Sequence, residues 1–131
     1  MKALLPPGWP RPKGYSNAVS AIGRIVFTAG VIGWDEQERL VAPDLVGQFR
    51  QILLNTLAVL AEDGAGPEHV VRMTWYVVDL AEYRSNLAEI GAVYKAVMGR
   101  NFPAMAVVEV GGLVEPQARI EIESTAVVPE P

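Results

Sequence analysis

The run Val70 to Val78, VVRMTWYVV, is dense in β-branched and aromatic residues and reads as a central strand. Only two helical patterns are legible around it. Two helices can cover one face of a sheet, so the other face needs a cover of its own. Val71, Met73, Trp75 and Val77 share one parity of the strand and are assigned to the face turned away from the helices. Burying that face calls for association between chains.

The rest of the chain fills in around this strand. Pro6, Pro7, Pro10 and Pro12 keep the first segment extended and non-helical. Ala18 to Ile22 and Arg24 to Ala29 read as short strands split by Gly23. In the second, Ile25 and Phe27 alternate with Val26 and Thr28, which implies burial on both faces. Asp44 is a helix N-cap after Pro43. Leu45, Phe49, Ile52, Leu53, Leu57 and Leu60 follow at threes and fours, and Gly64 ends the pattern. Asn55, inside this helix, is expected to bond a nearby loop backbone. Asp79 and Glu82 match a capping box. They open a second helix with the stripe Leu80, Tyr83, Leu87, Ile90, Tyr94 and Val97, closed by Gly99. Strands from Ala104 to Val110 and from Ala118 to Val128 complete the order. The expectation is an α+β fold in one domain spanning residues 1–131.

Charge narrows the function classes. There are 11 Lys and Arg against 15 Asp and Glu, a net charge of −4, and no basic run. Nucleic-acid binding depends on a basic footprint, so it is not expected. There is no cysteine, hence no disulfide, thiol nucleophile or cysteine metal site. The start, MKALLPPGWPRP, is too short in apolar residues and too interrupted by proline for a signal peptide. No stretch approaches a membrane span. A cytoplasmic protein is the expectation.

Few residues carry obvious chemistry. His69 is the sole histidine and has no metal-ligand spacing around it, so a structural role is expected. In Arg119-Ile120-Glu121-Ile122-Glu123 the acids alternate with isoleucines. Glu121 and Glu123 therefore face away from Ile120 and Ile122. Periodicity alone makes that a solvated strand face; a carboxylate in a partly closed cleft would instead shuttle protons. By themselves, Tyr15 is a turn aromatic and Met105 a core residue.

As a set these residues carry more. Gly14-Tyr15-Ser16-Asn17-Ala18, Phe27-Thr28-Ala29-Gly30, Gln48 through Asn55, Tyr76-Val77-Val78-Asp79-Leu80, Phe102-Pro103-Ala104 and Ile120-Glu121-Ile122-Glu123 fall in the order and spacing of the RidA/YjgF family. The chain resembles that family from about Tyr15 to Val128. The resemblance implies a chorismate-mutase-like fold: a sheet with two helices packed on one face, in a homotrimer around a central barrel. It implies a small-molecule ligand in clefts between subunits, hydrolysis of enamines or imines to ketoacids and ammonia, and no metal or organic cofactor. Glu121 would be the catalytic acid–base, with Tyr15, Ala29, Gly30, Gly91, Met105 and Val107 around the ligand.

This chain departs from the family pattern in places. A Pro-Ala-Arg segment there supplies an arginine for the substrate carboxylate; here the position is Met105. Gly91 stands where asparagine is frequent, Ala29 where serine is, and Val107 where cysteine sometimes is. A thioether cannot replace a bidentate guanidinium, so the cleft is expected to be less cationic and more apolar. Arg72, Arg100 and Arg119 are candidates to compensate. The readings to separate are a divergent imine or enamine deaminase, a non-catalytic binding member, and, less supported, a ribonuclease or translation inhibitor.

Overall fold

The structure, a computed structural model, describes residues 1–131. Strands β1 (Lys2–Leu4) and β2 (Ala18–Ser20) form an antiparallel pair. The main sheet contains β3 (Arg24–Phe27), β4 (Val70–Val77), β5 (Ala104–Glu109) and β6 (Ile120–Val128) in the order β3-β6-β4-β5. β6 runs antiparallel to both neighbours, and β4 runs parallel to β5. A parallel pair needs a crossover, which here is helical: α2 (Leu80–Ser85) and α3 (Leu87–Met98). Helix α1 (Leu45–Ala61) links β3 to β4. No helix is long and apolar enough to cross a membrane.

Helix α1 starts where expected. Asp44 accepts a hydrogen bond from the Gly47 amide at 3.0 Å, satisfying one of the amides that a first turn leaves free. Leu45, Phe49, Ile52, Leu53 and Leu60 are buried against the sheet. Phe49 meets Trp75 of β4 at 4.8 Å between ring centroids. From α3, Ile90, Tyr94 and Met98 join the same core, one turn apart along a single helix face. Gly99, at φ 67°, ends α3 in a conformation that favours glycine.

Several expectations need correction. The second helix is two helices, broken at Asn86, whose side chain donates to the Glu82 carbonyl at 2.8 Å. That bond competes with the helical ladder. The capping box is only half formed: Asp79 caps Ala81 and Glu82, but the Glu82 carboxylate accepts from Arg119 instead. The proline-rich start, by contrast, is extended and non-helical as expected, and its Lys2–Leu4 forms β1, paired with β2.

The faces of the sheet are also reassigned. Met73, Trp75 and Val77 point toward the helices, since all are buried in the core beside Ile120 and Ile122. A register shift between Val70 and Arg72 puts Val71 out of step with them. The opposite face carries Thr74, Tyr76, Glu121 and Glu123 at its centre. Ile25 and Phe27, 58% and 72% exposed, lie at the β3 edge rather than in a core. A second face that needs covering exists, but its exposed apolar residues are Ile25 and Phe27 of β3 and Val108 of β5.

Two polar side chains of α1 hold the loop after β3. Asn55 donates to the Trp34 carbonyl at 2.7 Å, the loop contact expected for it. Gln48 is fully buried. Its amide nitrogen donates to the carbonyls of Ala42 and Gln117, both at 3.0 Å, and its oxygen accepts from the Arg119 amide at 2.7 Å. His69 is likewise structural, its Nδ1 accepting from the Gly66 amide at 2.9 Å.

Gln48→Leu would leave those three backbone groups without their partner. The expected cost is about 3 kcal/mol, at about 1 kcal/mol for each, measured as a lower urea midpoint by circular dichroism. Gly91 gives the opposite case. It lies inside α3 with no positive φ, and an added Cβ meets nothing within 4 Å. Gly91→Ala should therefore stabilise the fold by roughly 0.5–1 kcal/mol, seen as a higher thermal midpoint.

Candidate functional site

A cavity of about 1200 Å³ opens between the N-terminal segment, α2, α3 and β5. Its position follows from the register. Met105 pairs with Met73, and Val107 with Trp75, so both β5 side chains turn toward the helical layer. β5 is the outermost strand, and the helices leave its surface only half covered. Tyr15 is held over the same space by its neighbour. The Ser16 amide donates to the Pro103 carbonyl at 3.0 Å, and the Ser16 hydroxyl to the Phe102 carbonyl at 2.6 Å. Gly91 faces the cavity from α3.

The wall is aromatic. Tyr94 stacks on Phe102 at 6.0 Å and 15°, and lies 6.2 Å from Trp75. The Tyr94 hydroxyl donates to the Asn101 carbonyl. Burial pushes its phenol well above the ordinary tyrosine range, so it is a neutral donor at working pH. Burial raises Tyr83 as well. Trp75 is 3% exposed, and its indole Nε1–H has no partner within the protein. That is a costly state for a buried donor.

The cavity is also more basic than Met105 suggests. Arg11, Lys13, Lys95 and Arg100 line it, and no Asp or Glu does. None of these cations is in an ion pair, whereas Arg119 is bound by Glu82 at 2.9 Å and Asp79 at 3.8 Å. Arg72 pairs with Ala104 and Thr125 on the face away from the helices. Of the arginines considered as replacements for the family's clamp, Arg100 alone reaches the cavity. The expectation of a less cationic cleft holds at the Met105 position itself, not for the wall around it.

The other sequence-predicted residues lie elsewhere. Ile120 and Ile122 are fully buried on the helix side, so Glu121 projects from the opposite face, across from Tyr76. Gly30 is directly against it: a Cβ at Gly30 would stand 2.5 Å from Glu121 Oε2. Ala29 precedes it and is exposed, its carbonyl accepting from the Thr28 hydroxyl at 2.8 Å. On this face the Tyr76 hydroxyl donates to Glu123 at 2.6 Å. That bond, first, and the nearby carboxylate charges raise the Tyr76 phenol.

One chain thus gathers Tyr15, Gly91, Met105 and Val107 in a cavity, and Ala29, Gly30 and Glu121 on the reverse of the same sheet. Sequence reasoning missed Trp75, Tyr94, Phe102 and Lys95 as cavity wall. The readable signal was the crossover. A parallel β4–β5 pair puts the end of α3 and the start of β5 together, which brings Lys95, Arg100 and Phe102 to one place.

Comparison with known proteins agrees with this fold. Residues 10–128 match the protein family described as Endoribonuclease L-PSP. A RutC family protein of Pyrococcus abyssi is 35% identical over 119 residues, covering 89% of each chain. A Salmonella typhimurium protein named 2-iminobutanoate/2-iminopropanoate deaminase is 35% identical, covering 81% of each. A solved structure from Yersinia pestis, described as a Rid family protein of unknown function, superposes with a TM-score of 0.86. It is 34% identical and covers 97% of this chain and 98% of its own. With an α+β architecture, a family match over nearly its whole length and relatives at this identity, the chain belongs to the Rid/YjgF family.

Proposed function

We propose that this protein works in the cytoplasm as a homotrimer and hydrolyses small imines or enamines in clefts between its subunits. The carrying observation is the divided site. Glu121 and Met105 project from opposite faces of one sheet, so no small ligand touches both within one chain. A cleft containing both needs a second copy, with Glu121 of the partner subunit facing this chain's cavity. Two features support association. Ile25 and Phe27 stand exposed on the face that carries Glu121. Beyond the Ser16–Ala104 bridge, β5 has a strand partner only on its β4 side, an edge that folded proteins cover or blunt.

The chemistry needs little beyond a proton carrier. Water adds to the C=N carbon while Glu121 accepts a proton from it. Glu121 passes that proton to nitrogen, giving a carbinolamine; it then takes the hydroxyl proton and delivers it to nitrogen as the C–N bond breaks, so that carbonyl product and ammonia leave. An enamine must first be protonated at carbon to give the imine. Tyr15 and the backbone near Gly30 and Val107 position the ligand. Relatives named as iminobutanoate and iminopropanoate deaminases support this reaction class. Met105 supports a different substrate range, since no guanidinium stands there to clamp a small imino acid's carboxylate.

Met105 also favours a second reading, a binding protein that keeps the cleft without turnover. Nuclease activity has less support, because the protein is acidic and its one histidine is engaged by the Gly66 amide.

Light scattering of purified protein should give about three chain masses at micromolar concentration; a stable monomer would remove the shared cleft. Ammonia release should be seen from a panel of imines and enamines, with poor turnover of 2-aminoacrylate-type imino acids. Glu121→Gln should lower turnover by roughly 10²–10⁴, and Met105→Arg should shift preference toward carboxylate-bearing imines. Ligand binding without ammonia release on any substrate would select the binding-protein reading. Unchanged turnover in Glu121→Gln would leave Glu121 a structural carboxylate.

A further inference from the structure

We infer that the cavity selects organic anions with an aromatic or branched apolar body, and that Lys95 and Arg100 supply the charge that Met105 does not. This deepens the proposed function and rests on its choice of the cavity as the ligand cleft.

Three observations carry it. The first is charge: a chain of net charge −4 presents Arg11, Lys13, Lys95 and Arg100 to one space with no acid among the lining residues. None of them is in an ion pair, so all four charges are open to a ligand. Lys95 and Arg100 also stand near the C-terminal end of α3, where cations suit the helix dipole. That accounts for neither Arg11 nor Lys13, which come from a different segment.

The second is the wall. Trp75, Tyr94, Phe102 and Met105 give it an aromatic and apolar lining. The third is room. About 1200 Å³ exceeds the roughly 300–1,000 Å³ typical of small-molecule sites, and Gly91 leaves its part of the wall empty. Lys95 lies one helical turn beyond Gly91, so both face the same way. A ligand whose body covers Met105 and Trp75 then places its anion toward the end of α3. The family's cation on the strand is replaced here by cations on the helix and the loop after it.

The test uses two fluorescent probes with the same rings: 8-anilinonaphthalene-1-sulfonate, an anion, and N-phenyl-1-naphthylamine, which is neutral. The intact protein should bind the anionic probe about fivefold more tightly, the scale of one partly exposed charge pair. In the Lys95→Gln/Arg100→Gln variant that preference should disappear while the neutral probe still binds as before. 4-Phenylbutanoate should displace the anionic probe at lower concentration than 4-phenylbutanamide does, and inorganic phosphate should not displace it. Equal affinity of the anionic probe for native protein and variant would overturn the inference, as would displacement by phosphate alone.

If the double variant loses native circular dichroism, ionic strength decides on the native protein. Raising salt from about 0.05 to 0.5 M should weaken the anionic probe and leave the neutral one unchanged; equal responses would overturn the inference. Binding is read without turnover. A protein that shows this preference but releases no ammonia keeps the inference and loses only the hydrolysis.

Discussion

The buried amide of Gln48 is the joint on which the arrangement turns. One side chain ties α1 to the loop before it, through Ala42, and to the segment leading into β6, through Gln117 and Arg119. It does so with no solvent to compete, where a satisfied amide specifies geometry and an unsatisfied one is costly. Its backbone is also the surface against which Gly33 packs: a Cβ there would come within 2.9 Å of it. With Asn55 holding Trp34 one helical stretch further on, α1 fixes the path of the loop after β3. That loop carries Gly30 to Glu121. The placement of a surface carboxylate therefore depends on a polar contact in the core.

The sheet presents two chemically different faces because its strands do. β6 alternates buried Ile120 and Ile122 with Glu121 and Glu123. β5 does the reverse for the site: Met105 and Val107 turn to the helices, leaving Ala106 and Val108 on the Glu121 side. Period-two geometry thus forces the candidate residues apart within one chain. On the proposed reading, they meet in a single cleft only when chains associate.

Much of this was legible in the residues. The α1 cap at Asp44, the Ile120–Glu123 alternation, the Asn55 loop contact and the β-rich run at Val70 all rest on local rules, and all hold. Face assignment of β4 failed because parity alone carries no sign. Val71, Met73, Trp75 and Val77 look equivalent in sequence, and only the packing of Phe49 and Tyr94 on Trp75 says which way they turn. The bulge near Val71 breaks the parity as well. The break at Asn86 was hidden because its cause is a side-chain bond to Glu82, not a glycine or proline. The basic wall was hidden because Arg11, Lys13, Lys95 and Arg100 are scattered in the chain and meet only through the crossover and the contacts of Ser16 with Phe102 and Pro103.

Gly30 and Glu121 leave no space between them, whereas Gly91 opens onto nothing. The two glycines therefore set different freedoms for the lineage. At Gly30 any added side chain meets the end of Glu121, so a larger residue there moves the carboxylate. At Gly91, and along the N-terminal segment and the end of α3, side chains can be exchanged without reaching β6. On the proposed reading, a change at Gly30 displaces the group that moves protons, whereas a change at Gly91 alters only what is bound.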